Sequence, residues 1–305
     1  MEVFVKVVEA KSLSKAADIL DLANASVTSC IRNLEMHLGV TLLRRSTRHV
    51  TLTDEGAMFY DRCRSILGLV EEAEAAVSPS QDRLRGTLRV ELPIALGHLI
   101  IGPALQAFAM RHPDLRVAVS LTNSVDSLAR RGVDVAIRMD EVDDGDLVAR
   151  WIYEARHVVC ASPAFLEKHG TPQHPCELDL SRCIGLIPPL LNHVREWVFS
   201  RDNENWCLTP EGNLLFNSSD ALIRTAVRNG GFIYVLDVLA EEQIRCGALD
   251  LVLPEWQTAR KTFYAVYTRS RFVAPKVRRF VDFMSCLFDE RPQVDSALVP
   301  RILSR

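Results

Sequence analysis

The stretch SLSKAADILDLANASVTSCIRNLEMHLGV, residues 12–40, decides how the N-terminal part of the chain folds. Ser14 precedes Lys15-Ala16-Ala17-Asp18-Ile19-Leu20, a short helix with a hydroxyl placed to cap it. Asp21-Leu22-Ala23 leaves room only for a tight turn. A second helix runs from Asn24 to about His37, because Val27, Ile31, Leu34 and Leu38 recur on one face and Gly39 ends the pattern. Two short helices joined by three residues, with Ala17 small enough for close approach and Leu20, Leu22, Val27 and Ile31 between them, read as a helix-turn-helix. The other face of the second helix carries Asn24, Ala25, Ser26, Thr28, Ser29 and Arg32. Short hydrogen-bonding side chains and one cation suit base edges and phosphates in a major groove. By periodicity alone the same pair of helices also fits plain core packing.

Next to this pair, Val50 and Leu52 alternate with His49 and Thr51 as in a strand, and the turn before them holds Arg44, Arg45 and Arg48. A hairpin wing on a phosphate backbone would use this chemistry, since arginine donates several hydrogen bonds to phosphate oxygens. Taken singly, such arginines also fit a solvated turn. Over residues 32–49 four arginines oppose the single acid Glu35, a local charge of +3. The whole chain of 305 residues has 36 basic against 39 acidic side chains and a net charge of −3, so any nucleic-acid contact must be local. Ser14, Arg45, Arg48 and Thr51 are the candidates for phosphate contact, and Asn24, Ala25, Ser26, Thr28, Ser29 and Arg32 for base contact.

From Asp54 to Val77 the pattern is one long helix, with Thr53 as its cap and two acids in its first turn. Tyr60, Cys63, Leu67, Val70 and Val77 form an apolar stripe that Glu74 interrupts. A helix of this length reaches about 36 Å. It either lies on the next domain or pairs with its copy from a second subunit. Ser78-Pro79-Ser80 closes it, and from Gly86 onward apolar strands alternate with amphipathic helices.

In that part, Leu88–Leu92, Arg116–Leu121 and Val133–Arg138 read as strands, with helices over about 98–111 and 125–131. This order implies a mostly parallel sheet, in which ligands bind beyond the carboxyl ends of the strands. The residues there are Pro93, Ile94, Ala95, Leu96, Thr122, Asn123 and Arg138, the last able to pair with Asp140 or Asp143 instead of a ligand. A second unit, about 161–261, has corresponding strand ends near Ile187, Asn217 and Phe232 to Tyr234. Polar groups at such positions also serve as helix caps. Apolar atoms beside backbone N–H groups at 93–96 suit a small organic acid with an apolar body.

Composition (48% hydrophobic, 25% charged) fits a globular protein of two or three domains. No apolar run of about 18 residues predicts a membrane span, and the N-terminus MEVFVKVVEAKSLSKAAD lacks the apolar stretch of a secretion signal, so a cytoplasmic protein is expected. The eight cysteines, with no CxxC, read as free thiols in or near cores. His174, Cys176, Cys183 and His193 come nearest to a metal cluster, but their spacing fits no zinc pattern, and neither metal nor cofactor is expected. The motifs G-x-S-x-G, H-E-x-x-H, G-x-x-x-x-G-K-[ST] and G-x-G-x-x-G are absent, so an enzyme is the least favoured reading.

Over residues 1 to about 290 the chain resembles the LysR-type transcriptional regulators. The resemblance rests on Ser12-Leu13-Ser14-Lys15-Ala16-Ala17, Ile31-Arg32-Asn33-Leu34-Glu35, Leu42-Leu43-Arg44-Arg45 and Leu52-Thr53-Asp54-Glu55-Gly56, then Gly86-Thr87-Leu88-Arg89-Val90, Gly132-Val133-Asp134-Val135-Ala136-Ile137-Arg138, Ala161-Ser162-Pro163 and Ala265-Val266-Tyr267. It implies an α/β protein with an N-terminal all-α winged helix-turn-helix (1–53), a linker helix and hinge (54–85) and a two-lobed, periplasmic-binding-protein-like effector domain (86–305). Lobe 1 would take about 86–160 and 262–290, and lobe 2 about 161–261. The resemblance further implies double-stranded DNA read as half-sites, a small-molecule effector, RNA polymerase as partner and a homodimer or homotetramer. The rival outside this class is a solute-binding sensor with no DNA role. Family members usually carry a few residues before the helix that opens this chain, so Met1 is expected to be an internal start. The chain departs from the family at Ala23-Asn24-Ala25 and Thr28-Ser29 in the second helix, and at Gly230-Gly231-Phe232-Ile233-Tyr234 and Asp237 in lobe 2, where two aromatics stand beside the expected cleft.

Overall fold

The computed structural model describes residues 1–45, 50–77, 84–123, 132–139, 145–188, 193–269 and 273–289, with backbone alone at 45, 65, 69 and 71–77. The chain divides into two compact units, whose main bodies are Met1–Leu84 and, beyond it, Arg85–Asp126 with Asp134–Arg269.

The first unit contains helices α1 (Glu2–Ala10), α2 (Leu13–Leu20) and α3 (Asn24–Leu38), a hairpin of β1 (Leu43–Arg45) and β2 (Val50–Leu52), and the 24-residue helix α4 (Asp54–Val77). Its core joins Phe4, Val5 and Val7 of α1 to Ala16, Ala17, Val27, Ile31, Leu42, Leu43 and Cys63. The sequence reading put Leu22 between the helices, but the structure leaves it exposed and fills the space from α1. Asp21 takes a left-handed conformation (φ 52°) and the Leu22 N–H donates to Ala17 O (3.0 Å), a closure that turns the next side chain outward. Ser12, not Ser14, caps α2: its Oγ accepts from the Lys15 N–H at 3.4 Å. Ser14 lies exposed in the first turn, its Oγ 3.0 Å from that of Ser12.

Thr53 caps α4 as expected, accepting from the Gly56 N–H at 2.9 Å. The same hydroxyl donates to Thr41 O (2.7 Å) and approaches Leu42 O (3.2 Å), so one side chain ties the long helix to the start of the wing. The first half of α4 then lays Phe59, Tyr60, Cys63 and Leu67 on the helix-turn-helix core, Phe59 meeting Phe4 at 5.5 Å between ring centroids.

The second unit is built on a seven-stranded sheet: β3 (Gly86–Leu92), β4 (Leu115–Leu121), β5 (Val135–Met139), β6 (Leu147–Ala161), β11 (Ile233–Leu236), β12 (Asp250–Val252) and β14 (Arg260–Thr268). The order is β11-β6-β14-β5-β3-β4, with β12 also pairing β6. β3 is parallel to β4 and β5, whereas β14 is antiparallel to both β5 and β6. The expected helix over 125–131 lies outside the described residues. β6, 15 residues long, pairs with β14 up to Arg156 and with β11 from His157, so it belongs to both lobes and the boundary drawn at 160/161 falls inside one strand.

The β3–β4 crossover is one helical segment, Ile94–Arg111, 18 residues long. By length and composition it is apolar enough to cross a membrane, which the sequence reading did not find. Pro103 cannot donate a backbone hydrogen bond, and a π turn over Gly97–Ile101 accommodates the break by bonding the Gly102 N–H to Gly97 O. Leu96, Ile100, Ile101 and Phe108 are buried, and Phe108 packs edge-on against Phe280 (5.7 Å) of the helix Pro275–Asp289. Its place between two parallel strands of a packed sheet is that of an ordinary crossover helix.

Lobe 2 adds β7 (Gly185–Leu186) parallel to β10 (Leu215–Phe216), and a sheet of β8 (Trp197–Arg201), β9 (Glu204–Leu208) and β13 (Gln257–Thr258). Trp197, Phe199, Phe232, Tyr234 and Trp256 dominate its core. Removing the Thr53 hydroxyl leaves the Gly56 N–H without its cap, so Thr53→Ala should lower unfolding free energy by about 1–2 kcal/mol in urea titration. A change below about 0.3 kcal/mol would mean that the cap carries no stability.

Candidate nucleic-acid interface and ligand site

The outer face of α3 is open. Asn24, Ala25, Ser26, Ser29 and Arg32 are exposed and Thr28 is half-buried. Asn24, Ala25, Thr28, Ser29 and Arg32 together line a shallow depression. No side chain caps the N-terminus of α3, whose N-cap is Ala23. Thr51 is exposed on β2, opposite Arg44 on β1, which is exposed too. The Arg45 side chain and the whole of Arg48 fall outside the described residues.

In the sequence Glu35 stands as a charge against the arginines and as the end of the motif Ile31-Arg32-Asn33-Leu34-Glu35. In the structure its Oε1 accepts from the Leu42 N–H (2.8 Å) and the Leu43 N–H (3.1 Å). It is a brace from the last turns of α3 to the first strand of the wing. The signal available in sequence was an acid eight residues before the strand, and nothing about that spacing alone announces a side-chain-to-backbone contact.

In lobe 1 the carboxyl ends of β3 and β4 meet: the Ile94 N–H donates to Asn123 Oδ1 at 3.1 Å, and the Thr122 N–H donates to Leu92 O at 2.9 Å. Pro93 and Leu96 are buried, Ile94, Ala95, Thr122 and Asn123 half-buried. Arg138 pairs with Glu91, which is 1% exposed, at 2.5 Å. The suggested partners Asp140 and Asp143 lie outside the described residues. The two residues meet because Glu91 stands opposite Ala136 in the parallel β3–β5 ladder, two positions from Arg138.

In lobe 2 the structure brings Ile187 and Asn217 together just past the carboxyl ends of β7 and β10, where the Ile187 N–H donates to Phe216 O at 2.7 Å. Phe232 and Tyr234 do not belong with them. Phe232 bridges Cys183 in parallel at the amino end of β11, so the carboxyl end of that strand is Leu236 and Asp237. Phe232 packs edge-on to Phe165 (5.1 Å), and Tyr234 stacks on His157 (4.6 Å) and Trp197 (5.5 Å). The Tyr234 hydroxyl donates to Val198 O (3.1 Å) and accepts from the Ala259 N–H (3.3 Å), and burial pushes its phenol above the ordinary range. Both aromatics are core residues. Asp237, 3% exposed with its Oδ1 accepting from the Val238 N–H (2.7 Å), takes the strand-end place that the sequence reading gave them.

Residues 1–57 match the family described as "Bacterial regulatory helix-turn-helix protein, lysR family" and residues 81–288 match "LysR substrate binding domain". The chain belongs to the LysR family of transcriptional regulators. An HTH-type transcriptional regulator of Xanthomonas campestris is 36% identical over 92% of this chain and 83% of its own length. The regulator CrgA of Neisseria meningitidis is 35% identical over 93% and 94%. The structure of CrgA superposes with a TM-score of 0.60 at 33% identity, covering 93% of this chain and 96% of that one. Full-length AphB, a Vibrio cholerae virulence activator, reaches 0.60 at 26% identity over 94% and 97%.

For a LysR-type regulator the wing must be set accurately against α3, and Glu35 does that. Glu35→Ala should cost about 1–3 kcal/mol by leaving two backbone donors unmet, and Glu35→Gln should restore most of it because the amide oxygen still accepts. Equal unfolding midpoints for the two variants would show that Glu35 braces nothing. Arg138→Met should cost about 3–5 kcal/mol, because the buried Glu91 carboxylate then loses this ion pair. A loss below about 1 kcal/mol would remove the pair from the stability of lobe 1.

Proposed function

We propose that this LysR-type regulator binds specific DNA half-sites as a homodimer or homotetramer and answers to a small organic acid held between the two lobes. It would act in the cytoplasm, with RNA polymerase as partner and without enzymatic turnover. The observation that carries the reading is the open polar face of α3 beside a basic hairpin whose position Glu35 and Thr53 fix. Asn24, Ala25, Ser26, Thr28, Ser29 and Arg32 are proposed to meet bases, and Ser14, Arg45, Arg48 and Thr51 phosphates. One helix-turn-helix covers too little DNA for specificity, so two copies would read half-sites about one helical turn apart or a multiple of it. Exposed Met58, Ile66 (43%) and Val70 (47%) on α4 support pairing of that helix with its copy.

The effector site is proposed at the carboxyl strand ends, from Pro93, Ile94, Ala95, Leu96, Thr122, Asn123 and Arg138 on one lobe and Ile187 and Asn217 on the other. Since Arg138 is already neutralised by Glu91, a carboxylate would rely on backbone N–H groups of 94–96, competing with Asn123 at Ile94. A ligand that favours one lobe arrangement shifts the equilibrium between them, whereas one of equal affinity for both shifts nothing.

In binding assays over a salt series, Arg48→Ala should weaken all duplexes alike and reduce the log–log salt slope by about one. Thr28 substitution should instead change which sequence is preferred; a loss confined to one operator for Arg48→Ala would reverse these roles. In a thermal-shift screen of the full chain, a small organic acid should raise Tm and its neutral amide should not, since binding to the folded state stabilises it. Equal shifts from both would end the acid reading.

A further inference from the structure

The surface of lobe 2 gathers three side chains that neither proposed site uses. The turn after the helix Pro163–His169 carries His174 and Cys176, and β9 carries Glu204. His174 Nδ1 lies 2.9 Å from Cys176 Sγ and 3.3 Å from the Cys176 backbone nitrogen. Both neighbours carry a hydrogen to donate, so Nδ1 is the bare ring nitrogen. On the other side, Nε2 is 3.0 Å from Glu204 Oε2, and the hydrogen bond from His174 holds that carboxyl below its usual range, so it can only accept. In the neutral form of the ring the proton therefore sits on Nε2, and the Nδ1 lone pair faces the thiol and the Cys176 N–H. Trp206 Nε1 also donates to Glu204 Oε2 (3.4 Å), and the rings of Trp206 and Trp256 meet the imidazole edge-on at 5.2 and 5.0 Å.

The sequence reading expected thiols in or near cores, yet five of the eight cysteines are exposed. Burial pushes Cys160 and Cys183 up to about 12, and the Glu196 carboxylate beside Cys207 (3.2 Å) raises that thiol as well. Cys183, the third member of the loose metal cluster, donates to Asp179 O instead. Among the described residues no three His, Cys, Asp or Glu side chains are gathered to hold a metal ion. Among the described residues, Cys176 is the cysteine with a histidine nitrogen at hydrogen-bond distance from its sulfur.

We propose that His174, Cys176 and Glu204 form a thiol-addition site for soft carbon electrophiles of the α,β-unsaturated carbonyl class. His174 Nδ1 takes the Sγ proton as sulfur attacks the β-carbon. The S–C bond forms while the C=C pair moves toward the carbonyl oxygen as an enolate. The imidazolium then returns the proton to the α-carbon. Nothing leaves and nothing is oxidised, so the reaction is a stoichiometric capture. Glu204 keeps the tautomer and stabilises the transient imidazolium, the role of the third member of a nucleophile–base–acid set. The half-buried Trp206 ring beside the imidazole offers apolar surface to the organic body, with buried Trp256 behind it. Oxidation to a disulfide fits less well, because strand alternation turns Cys207 to the face opposite Glu204 and Trp206.

The test uses the full chain and N-ethylmaleimide at neutral pH, with labelling rates read cysteine by cysteine from peptide masses. Cys176 should react at least about tenfold faster than exposed Cys246 and Cys286. Glu204→Gln and His174→Gln should each slow Cys176 toward those rates and leave Cys246 unchanged; Glu204 is exposed, so that variant keeps the fold. A Cys176 rate no faster than that of Cys246, or one unmoved by both variants, overturns the proposal. So does faster oxidation by an alkyl hydroperoxide, trapped as the sulfenic acid, than addition of the maleimide at equal concentration. None of these readouts involves DNA or the proposed effector.

Discussion

Three residues of backbone, Thr41 to Leu43, hold the DNA-reading end of this regulator together. Glu35 takes the N–H groups of Leu42 and Leu43, the Thr53 hydroxyl bonds the carbonyls of Thr41 and Leu42, and the Thr53 N–H returns to Leu42 O at 3.0 Å. Gly56 completes the junction, since a Cβ there would collide with Leu42 O. Helix α3, the wing and α4 thus converge on one short segment, and the contacts are directional where the apolar core is not. Glu35, the one acid over residues 32–49, thus has its Oε1 engaged by two backbone N–H groups.

The ligand-sensing unit depends on a different constraint, the continuity of β6. At 15 residues it runs about 50 Å, pairing first with β14 and then with β11 and β12. Where its partner changes, His157 is buried, with Nδ1 2.8 Å from Ala259 O and its ring on Tyr234. Thr258 also donates to His157 O. A strand shared by both lobes and pinned at the crossing point is where the two lobes are joined covalently and by hydrogen bonds.

Much of this was legible in the sequence because it rested on periodicity and on punctuation. Val27 and Ile31 mark the buried face of α3, Gly39 (φ 67°) its end, and Thr53 the start of α4. What escaped were contacts fixed by three-dimensional placement. Ser12 and Ser14 are equally good caps on paper, and only the path of the chain out of α1 selects Ser12. Leu22 carries the same hydrophobicity as Leu42, but a left-handed residue before it sends it to solvent. Phe232 and Tyr234 were placed at a strand end because sequence shows where a strand lies; its direction relative to its neighbours comes only from the sheet. The link between His174 and Glu204, thirty residues apart, had no sequence signature either.

The pairing inside lobe 1 limits how an effector can be recognised. An arginine at a strand end invites the idea of a salt bridge to a ligand carboxylate, but Arg138 is only 11% exposed and its partner Glu91 is 1% exposed. Drawing Arg138 to a ligand would break its ion pair with a buried carboxylate, so one new ion pair would only replace the one lost. At the proposed effector site, recognition would therefore fall to groups that need not abandon a partner: the apolar surfaces of Ile94 and Ala95 and the backbone N–H groups beyond Ile94, whose own N–H Asn123 already holds. Such a surface discriminates by shape first and by charge second. In the proposed site the Arg138–Glu91 pair would be a fixed floor, and the second lobe's share of any difference in affinity between open and closed states would fall to Ile187 and Asn217.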